Sequence, residues 1–289
     1  MSEFFDEVLL DALLDVVKLL PFLFITFLIM EYIEHKSSRI TAKIVRASGS
    51  WGPVLGAAAG IVPQCGFSAS ASNLYSQRLI TVGTLIAVYL STSDEMIPIF
   101  LSEGASIPML IKVLACKFLF GIIFGFLADK LLRRFLARDS RVHITEMCAD
   151  EHCECDDHSV FYAALIHTLK TALYILAFTI AFNAILHFIG EEALKNVIIG
   201  RPVIGALITG IVGLIPNCAA SIVITELAIE GVITTGAMLS GLLVGAGVGL
   251  LVLFRANKDH PRDNLIIVAA LYASGALVGV LFDLLNINF

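Results

Sequence analysis

The sequence predicts an all-α polytopic membrane protein of about ten membrane helices in two inverted-topology repeats, each with a broken or re-entrant helix pair. Three observations carry this: an excess of apolar residues in long runs, a one-sided distribution of Lys and Arg, and a Pro–amide–Cys motif written twice at matching places. Of 289 residues, 58% are hydrophobic and 15% charged, and mean hydropathy is +0.90. A soluble domain carries about 25% charged residues and cannot hide this much apolar surface, so lipid is the expected solvent. The alternating ten-residue strands of a β-barrel are missing. The net charge of −6 comes mainly from acidic ends and one loop and selects no partner. The acidic start "MSEFFDEVLLD" lacks the basic n-region of a cleavable signal, so the first apolar segment is expected to stay in the membrane.

Apolar segments run over 12–32, 79–102, 107–128, 160–189, 232–254 and 264–285. Each is long enough to cross a hydrocarbon core about 30 Å thick at about 1.5 Å per residue. Regions 52–77 and 202–230 differ, each consisting of two short apolar arms around a central Pro–amide–Cys. Arms of about 11–14 residues are too short to cross squarely as helix. Each region therefore reads as a helix, a break and a helix returning to its own side, or as a tilted pair. Lys36, Arg39, Lys43 and Arg46 lie in loop 31–50, Lys130, Arg133, Arg134, Arg138 and Arg141 in 129–141, and Arg255, Lys258 and Arg262 in 255–262. The other ends hold only Lys195 and Arg201. Positive charge marks the cytoplasmic side, which places both termini outside and the chain in the cytoplasmic (inner) membrane.

Pro63-Gln64-Cys65 falls on Pro216-Asn217-Cys218 at an offset of 153, and Ile80-Thr81-x-Gly83 falls on Ile233-Thr234-x-Gly236 at the same offset. An offset of 154 carries Gly121, Gly125 and Asp129 onto Gly275, Gly279 and Asp283. The expected organisation is a membrane repeat over 1–135, a cytoplasmic His/Cys/acidic loop over 136–159 and a second membrane repeat over 160–289. Three crossings plus one paired region per half make the second half insert upside down, and such inverted repeats are the architecture of secondary transporters, with cargo held near the midplane. The Gly-x-x-x-Gly spacings read as close helix contacts without chemistry.

Proline breaks a helix and frees backbone groups that lipid cannot satisfy, so each tip must be buried in protein or line a wet cavity. Gln64 and Asn217 can serve that backbone, and the arm beginning at Cys65 points its amide end at the tip. Beside the tips, "LSTSDEMIP" (90–98) and "GLLVGAGVGLL" (241–251) favour local unwinding, one rich in hydroxyls and acids and the other in glycine. Asp94 and Glu95 lie midway along their segment, where carboxylates are expensive and read as functional. Lys117 and Lys112 are their candidate partners, with a structural ion pair as the plainer reading. Glu226 sits on the second paired region at the place of Asn73, while Glu230 reads as a solvated end charge. Of Ser68, Ser70, Ser72 and Asn73, only some would face a site if the arm is helical.

Residues 143–158 read "HITEMCADEHCECDDH". Cys148, His152, Cys153, Cys155 and His158 are ligand types for soft or borderline ions such as Zn²⁺, Cu⁺ or Cd²⁺, so a transition-metal ion at this loop is the one cofactor considered. The spacing is not a clean C-x-x-C pair; a flexible capture or sensing loop, or a plain acidic linker, also fits. The remaining three of the six cysteines, Cys65, Cys116 and Cys218, lie in apolar segments, and all six are expected reduced.

P-Q-C-G at 63–66, P-N-C at 216–218, S-T-S-D-E at 91–95 and the His/Cys loop resemble the family of proposed ten-transmembrane heavy-metal exporters, some labelled arsenic efflux protein or manganese transporter. The resemblance spans essentially the whole chain and implies export of a toxic metal or metalloid. Combined with the residue reading, it gives a secondary transporter whose cargo sits between the two breaks. Gln64, Cys65, Ser68, Ser91, Ser93, Asp94, Asn217 and Cys218 are the candidate binding residues, and Asp94, Glu95, Glu226 and Lys117 the candidate coupling or charge residues. The expected partners are a metal or metalloid, protons, the bilayer and a second copy of the chain, with no nucleic acid. No G-x-x-x-x-G-K-[ST] nucleotide motif or hydrolytic constellation occurs, so the expectation is not an enzyme. The alternatives are transport of a small organic or inorganic anion by the same architecture, and a metal-sensing membrane protein.

Overall fold

The computed structural model describes residues 51–62, 65–93, 96–102, 106–132, 136, 202–216 and 218–287, with isolated residues between 13 and 28 and between 161 and 180. These residues are mostly helical, with no strand among them. The elements are α1 (51–60), α2 (Cys65–Ser76), α3 (Val82–Ser91), α4 (Met96–Ser102) and α5 (Ile107–Leu131), then α6 (Pro202–Gly213), α7 (Cys218–Ile229), α8 (Thr235–Val244), α9 (Val248–Ala256) and α10 (Pro261–Leu284). Three stretches among the described residues are long and apolar enough to cross a membrane: Ile107–Leu131, Thr235–Ala256 and Pro261–Leu284.

Regions 52–77 and 202–230 are each two short helices around the proline motif. α2 and α7 both have 12 residues and start at Cys65 and Cys218, and their bounds differ by 153 at each end. α3 and α8 repeat the same offset at both ends, with 10 residues each. The segment 79–102, which reads as one apolar run, is two helices: α3 stops at Ser91 and α4 starts at Met96. α8 and α9 are likewise interrupted at Gly245–Gly247, where Gly247 has φ 52° and ψ −140°, a conformation that favours glycine.

Burial sorts the helices. Every residue of α3, and all of α8 after Thr235, is buried. These two helices are apolar all round and occupy the centre, touching each other and flanked by α5 and α10. α5 and α10 bury only a stripe, including Gly121 and Gly125 on one and Gly275 and Gly279 on the other. Their exposed faces carry residues such as Ile111, Leu119, Ile123, Leu277 and Leu281, as a lipid-facing surface requires. The small residues let backbones touch: a Cβ on Gly125 would stand 2.8 Å from the Gly83 carbonyl oxygen, and one on Gly279 would stand 2.6 Å from that of Gly236.

The same lock starts both central helices. Thr81 caps α3 by accepting from the Thr84 amide at 3.1 Å, and Thr234 caps α8 by accepting from Ala237 at 3.1 Å. Asp129, near the end of α5, accepts from the Thr81 hydroxyl at 2.8 Å and the Gly83 amide at 2.9 Å. Asp283 likewise accepts from Thr234 and the Gly236 amide, but its Oδ2 has no hydrogen-bond partner. A carboxylate thus sits on the positive end of each central helix.

Beyond the locks the two sequence halves cross over. α9 packs on α2, and α4 packs on α7. Val16, Phe27, Ala164 and Ala172 join Ala69, Val248 and Val252 in one apolar cluster on the outer side of the α2–α9 contact.

Candidate functional site

A small cavity, with room for about one water molecule and partly open to the outside, lies where the helix interruptions meet. Thr92, Ser93 and Met96 border it from the α3–α4 break, and Gly245 and Gly247 from the α8–α9 break. Gly213, Ala220 and Ser221 line it from the second proline tip. The wall is completed by Gly241, Leu242 and Lys117.

These groups are exposed to one another because the helices stop here. Gly213 fits under the Gly241 carbonyl, where an added Cβ would come within 2.3 Å, so α6 can reach the cavity only as glycine. Gly60 makes the matching approach in the first half, with a Cβ 2.6 Å from the Val88 carbonyl. Ser93 donates to the Ile61 carbonyl at 2.5 Å, fastening the α3–α4 break to the first tip. Lys117, from the middle of α5, is 1% exposed and donates from Nζ to the Leu242 carbonyl on α8. A cation buried at this depth is costly unless paired or used, which makes Lys117 the most informative polar group in the cavity.

The sequence candidates therefore separate. Ser93 and Lys117 line the cavity. Ser91 is buried and spends its hydroxyl on its own helix, donating to the Ala87 carbonyl at 2.7 Å. Ser68 is also fully buried, but it packs on the backbone of α9 at Gly249 and is not among the cavity residues. Glu226 lies on the exposed side of α7 and does not border the cavity. Lys112, the other candidate partner on α5, is exposed. Cys65 and Cys218 head α2 and α7. Gln64, Asp94, Glu95 and Asn217 lie outside the described residues, as do Cys148, His152, Cys153, Cys155 and His158 of the central loop. Among the described residues no group of His, Cys, Asp and Glu could hold a metal ion. Sequence reading missed Thr92 and Ser221, although both lie inside the motifs it singled out; only the packing tells which hydroxyls of a polar run face inward.

Residues 1–189 match a family described as "Putative, 10TM heavy-metal exporter". The chain belongs to this family. The match takes in Pro63-Gln64-Cys65, the α3–α4 break, Lys117 and the His/Cys loop, but ends before Pro216-Asn217-Cys218, so it is narrower than the whole-chain resemblance read from the motifs. With the apolar helices, it identifies a multi-pass membrane protein. No curated protein and no solved structure matches the chain.

Proposed function

We propose that this family member is a secondary transporter that exports a heavy-metal or metalloid species from the cytoplasm through the cavity between its helix breaks. The carrying observation is the cavity itself, which lies at the meeting of two interrupted helices and one proline tip and holds a buried lysine. Interrupted helices expose backbone groups that a desolvated cargo can use, the arrangement secondary transporters employ at the midplane. The chain would form two inverted repeats, 1–135 and 160–289, joined by the loop 136–159. The helix bounds shared at an offset of 153 and the twice-built Thr–Gly–Asp lock support that reading. About ten membrane helices, both termini outside and an inner-membrane location complete it.

In this reading Cys65 and Cys218 supply soft ligands at the heads of α2 and α7, with Gln64, Asn217, Ser93 and neighbouring hydroxyls as polar ones. Asp94, Glu95 and Lys117 carry the charge that couples cargo to protons, with Glu226 as a further acid. The loop cysteines and histidines, Cys148, His152, Cys153, Cys155 and His158, collect the ion on the cytoplasmic side. A second reading, transport of a small anion, draws on the Lys117 ammonium and the Ser93 and Ser221 hydroxyls around one cavity.

Purified protein in liposomes separates the two. Mn²⁺, Zn²⁺, Cd²⁺, arsenite and a trivalent methylated arsenical are offered with and without a proton gradient, to wild type and to the Cys65→Ser/Cys218→Ser variant. The expected result is flux of one of these species, accelerated by the gradient and reduced about tenfold or more in the variant, as loss of both soft sulfur ligands requires. Absence of flux for the whole panel, in protein shown to be folded, overturns the metal reading and leaves anions as the cargo.

A further inference from the structure

Corresponding residues of the two proposed repeats stand in different surroundings. Ser221 on α7 lines the cavity. Its counterpart 153 residues earlier, Ser68 on α2, is shut away: a Cβ on Gly249 would lie 2.7 Å from the Ser68 Cβ. The closure continues along α2. One turn on, Ser72 lies 2.7 Å from both the Gly249 carbonyl and the Tyr89 hydroxyl, and all three residues are buried. Ser72 also bonds back to the Ser68 carbonyl at 2.7 Å, and Thr225, its counterpart, makes the same bond within its helix, to the Ser221 carbonyl at 2.6 Å. Tyr89 corresponds to Leu242, which has no hydroxyl to join such a network.

The seam ends in an ion pair. Arg78 follows α2 and stands 3.9 Å from Asp263 in the first turn of α10, with its guanidinium 5.4 Å from the centre of the Tyr75 ring. Asn257 and Asn264 hold the corner that carries Asp263, through a 2.6 Å bond between their side chains and a 3.1 Å bond from Asn264 to the Asn257 carbonyl. Arg78 has φ 62°, a conformation that L side chains rarely adopt. Its counterpart is Gly231, with φ 71°, where an added Cβ would meet nothing within 4 Å. The turn geometry thus favours glycine in both halves, and the first half carries an arginine against that preference. Tyr75 and Asp263 correspond to Ala228 and Met109, so the second half has neither the ring nor the acid.

We infer that the α2–α9 seam, fastened by Arg78 and Asp263, is a closed gate on the face that carries residues 255–262, and that opening it brings Ser68 into the cavity in the place Ser221 holds here. The inference rests on the inverted repeats of the proposed function, which put Arg78 and Gly231 at opposite faces. One face is sealed by a stripe running from Ser68 to Arg78, while the pseudo-equivalent path beside α7 leaves Ser221 on the cavity. Alternating access is then an exchange of these two arrangements.

Thiol labelling tests the gate without any cargo. In full-length protein with the six native cysteines replaced by alanine, Ser68→Cys and Ser221→Cys are each exposed to a membrane-impermeant thiol reagent from the face of residues 255–262. Ser68→Cys is expected to react slowly, and adding Arg78→Gly is expected to raise its rate about tenfold, the shift that loss of one charge-assisted contact gives a two-state equilibrium. Arg78→Gly installs the residue that the turn geometry prefers, so folding is expected to survive; Asp263→Asn approaches the same contact from the other side. Ser221→Cys is expected to become less reactive from the opposite face as Ser68→Cys opens. A Ser68→Cys rate unchanged by both variants, in protein that stays monodisperse, overturns the gate. Labelling that responds while the liposomes move no metal leaves the gate standing and removes only the choice of cargo.

Discussion

The two ends of the central helices differ in how closely the halves resemble one another. At the N-terminal ends the halves are near copies: Thr81, Gly83 and Asp129 are matched by Thr234, Gly236 and Asp283 in residue type and in contact. At the other ends, where both helices are interrupted, the chemistry diverges. A hydroxyl-rich break faces a glycine-rich one, and Lys117 has buried Leu271 as its counterpart. Packing on glycine and capping by a carboxylate hold a helix in place and tolerate no variation. Recognition needs a particular charge in a particular place, and one half can supply it for both. The shared part is scaffold; the unshared part lines the cavity.

Three measurements break or sharpen this comparison. The largest effect belongs to the glycine contacts. Gly83→Val and Gly236→Val would drive a Cβ to 2.2 Å and 2.3 Å from the Gly125 and Gly279 carbonyls, backbone that cannot step aside. Each is expected to cost about 3 kcal/mol or more and to abolish monodisperse protein in detergent. Tolerance of one and not the other would show that only one lock holds the fold. Next come the carboxylates. Both oxygens of Asp129 are engaged, whereas Oδ2 of Asp283 is buried without a hydrogen-bond partner. Thermal unfolding should find Asp129→Asn costing about 2 kcal/mol and Asp283→Asn about 1 kcal/mol; the reverse order would contradict the geometry. The smallest effect is Tyr89→Phe. Ser72 keeps the Gly249 carbonyl at 2.7 Å, so the loss is expected to be about 1 kcal/mol, read as a modest drop in melting temperature.

Much of this scaffold was legible in the sequence because its constraints are local. A proline that breaks a helix and a glycine that lets backbones touch are each recognisable without neighbours, and repetition at one offset multiplied their weight. The 79–102 segment shows the limit. It is counted as one apolar run because both flanks are strongly hydrophobic, and the hydroxyls and acids of 91–95 mark where α3 ends. The inward-facing set was less legible. Ser68 and Ser221 are the same residue in the same motif position, yet one is packed on Gly249 and the other borders the cavity, a difference set by α9 and α4 from the opposite halves. No window around either serine contains it. Lys117 could be noticed as an intramembrane cation, but its partner, the Leu242 carbonyl, lies 125 residues away in the chain.

The central position of α3 and α8 bears on how the protein is made. A helix of 10 residues spans about 15 Å, half of a hydrocarbon core, and α3 ends at Ser91. Such a piece cannot be left facing acyl chains while the rest of the chain is synthesised. α3 gains the contacts that bury it only when α5 brings Gly125 and Asp129 to it. The α5 lock therefore sets an order of assembly: a chain truncated before Asp129 would lack the partner that buries its central helix.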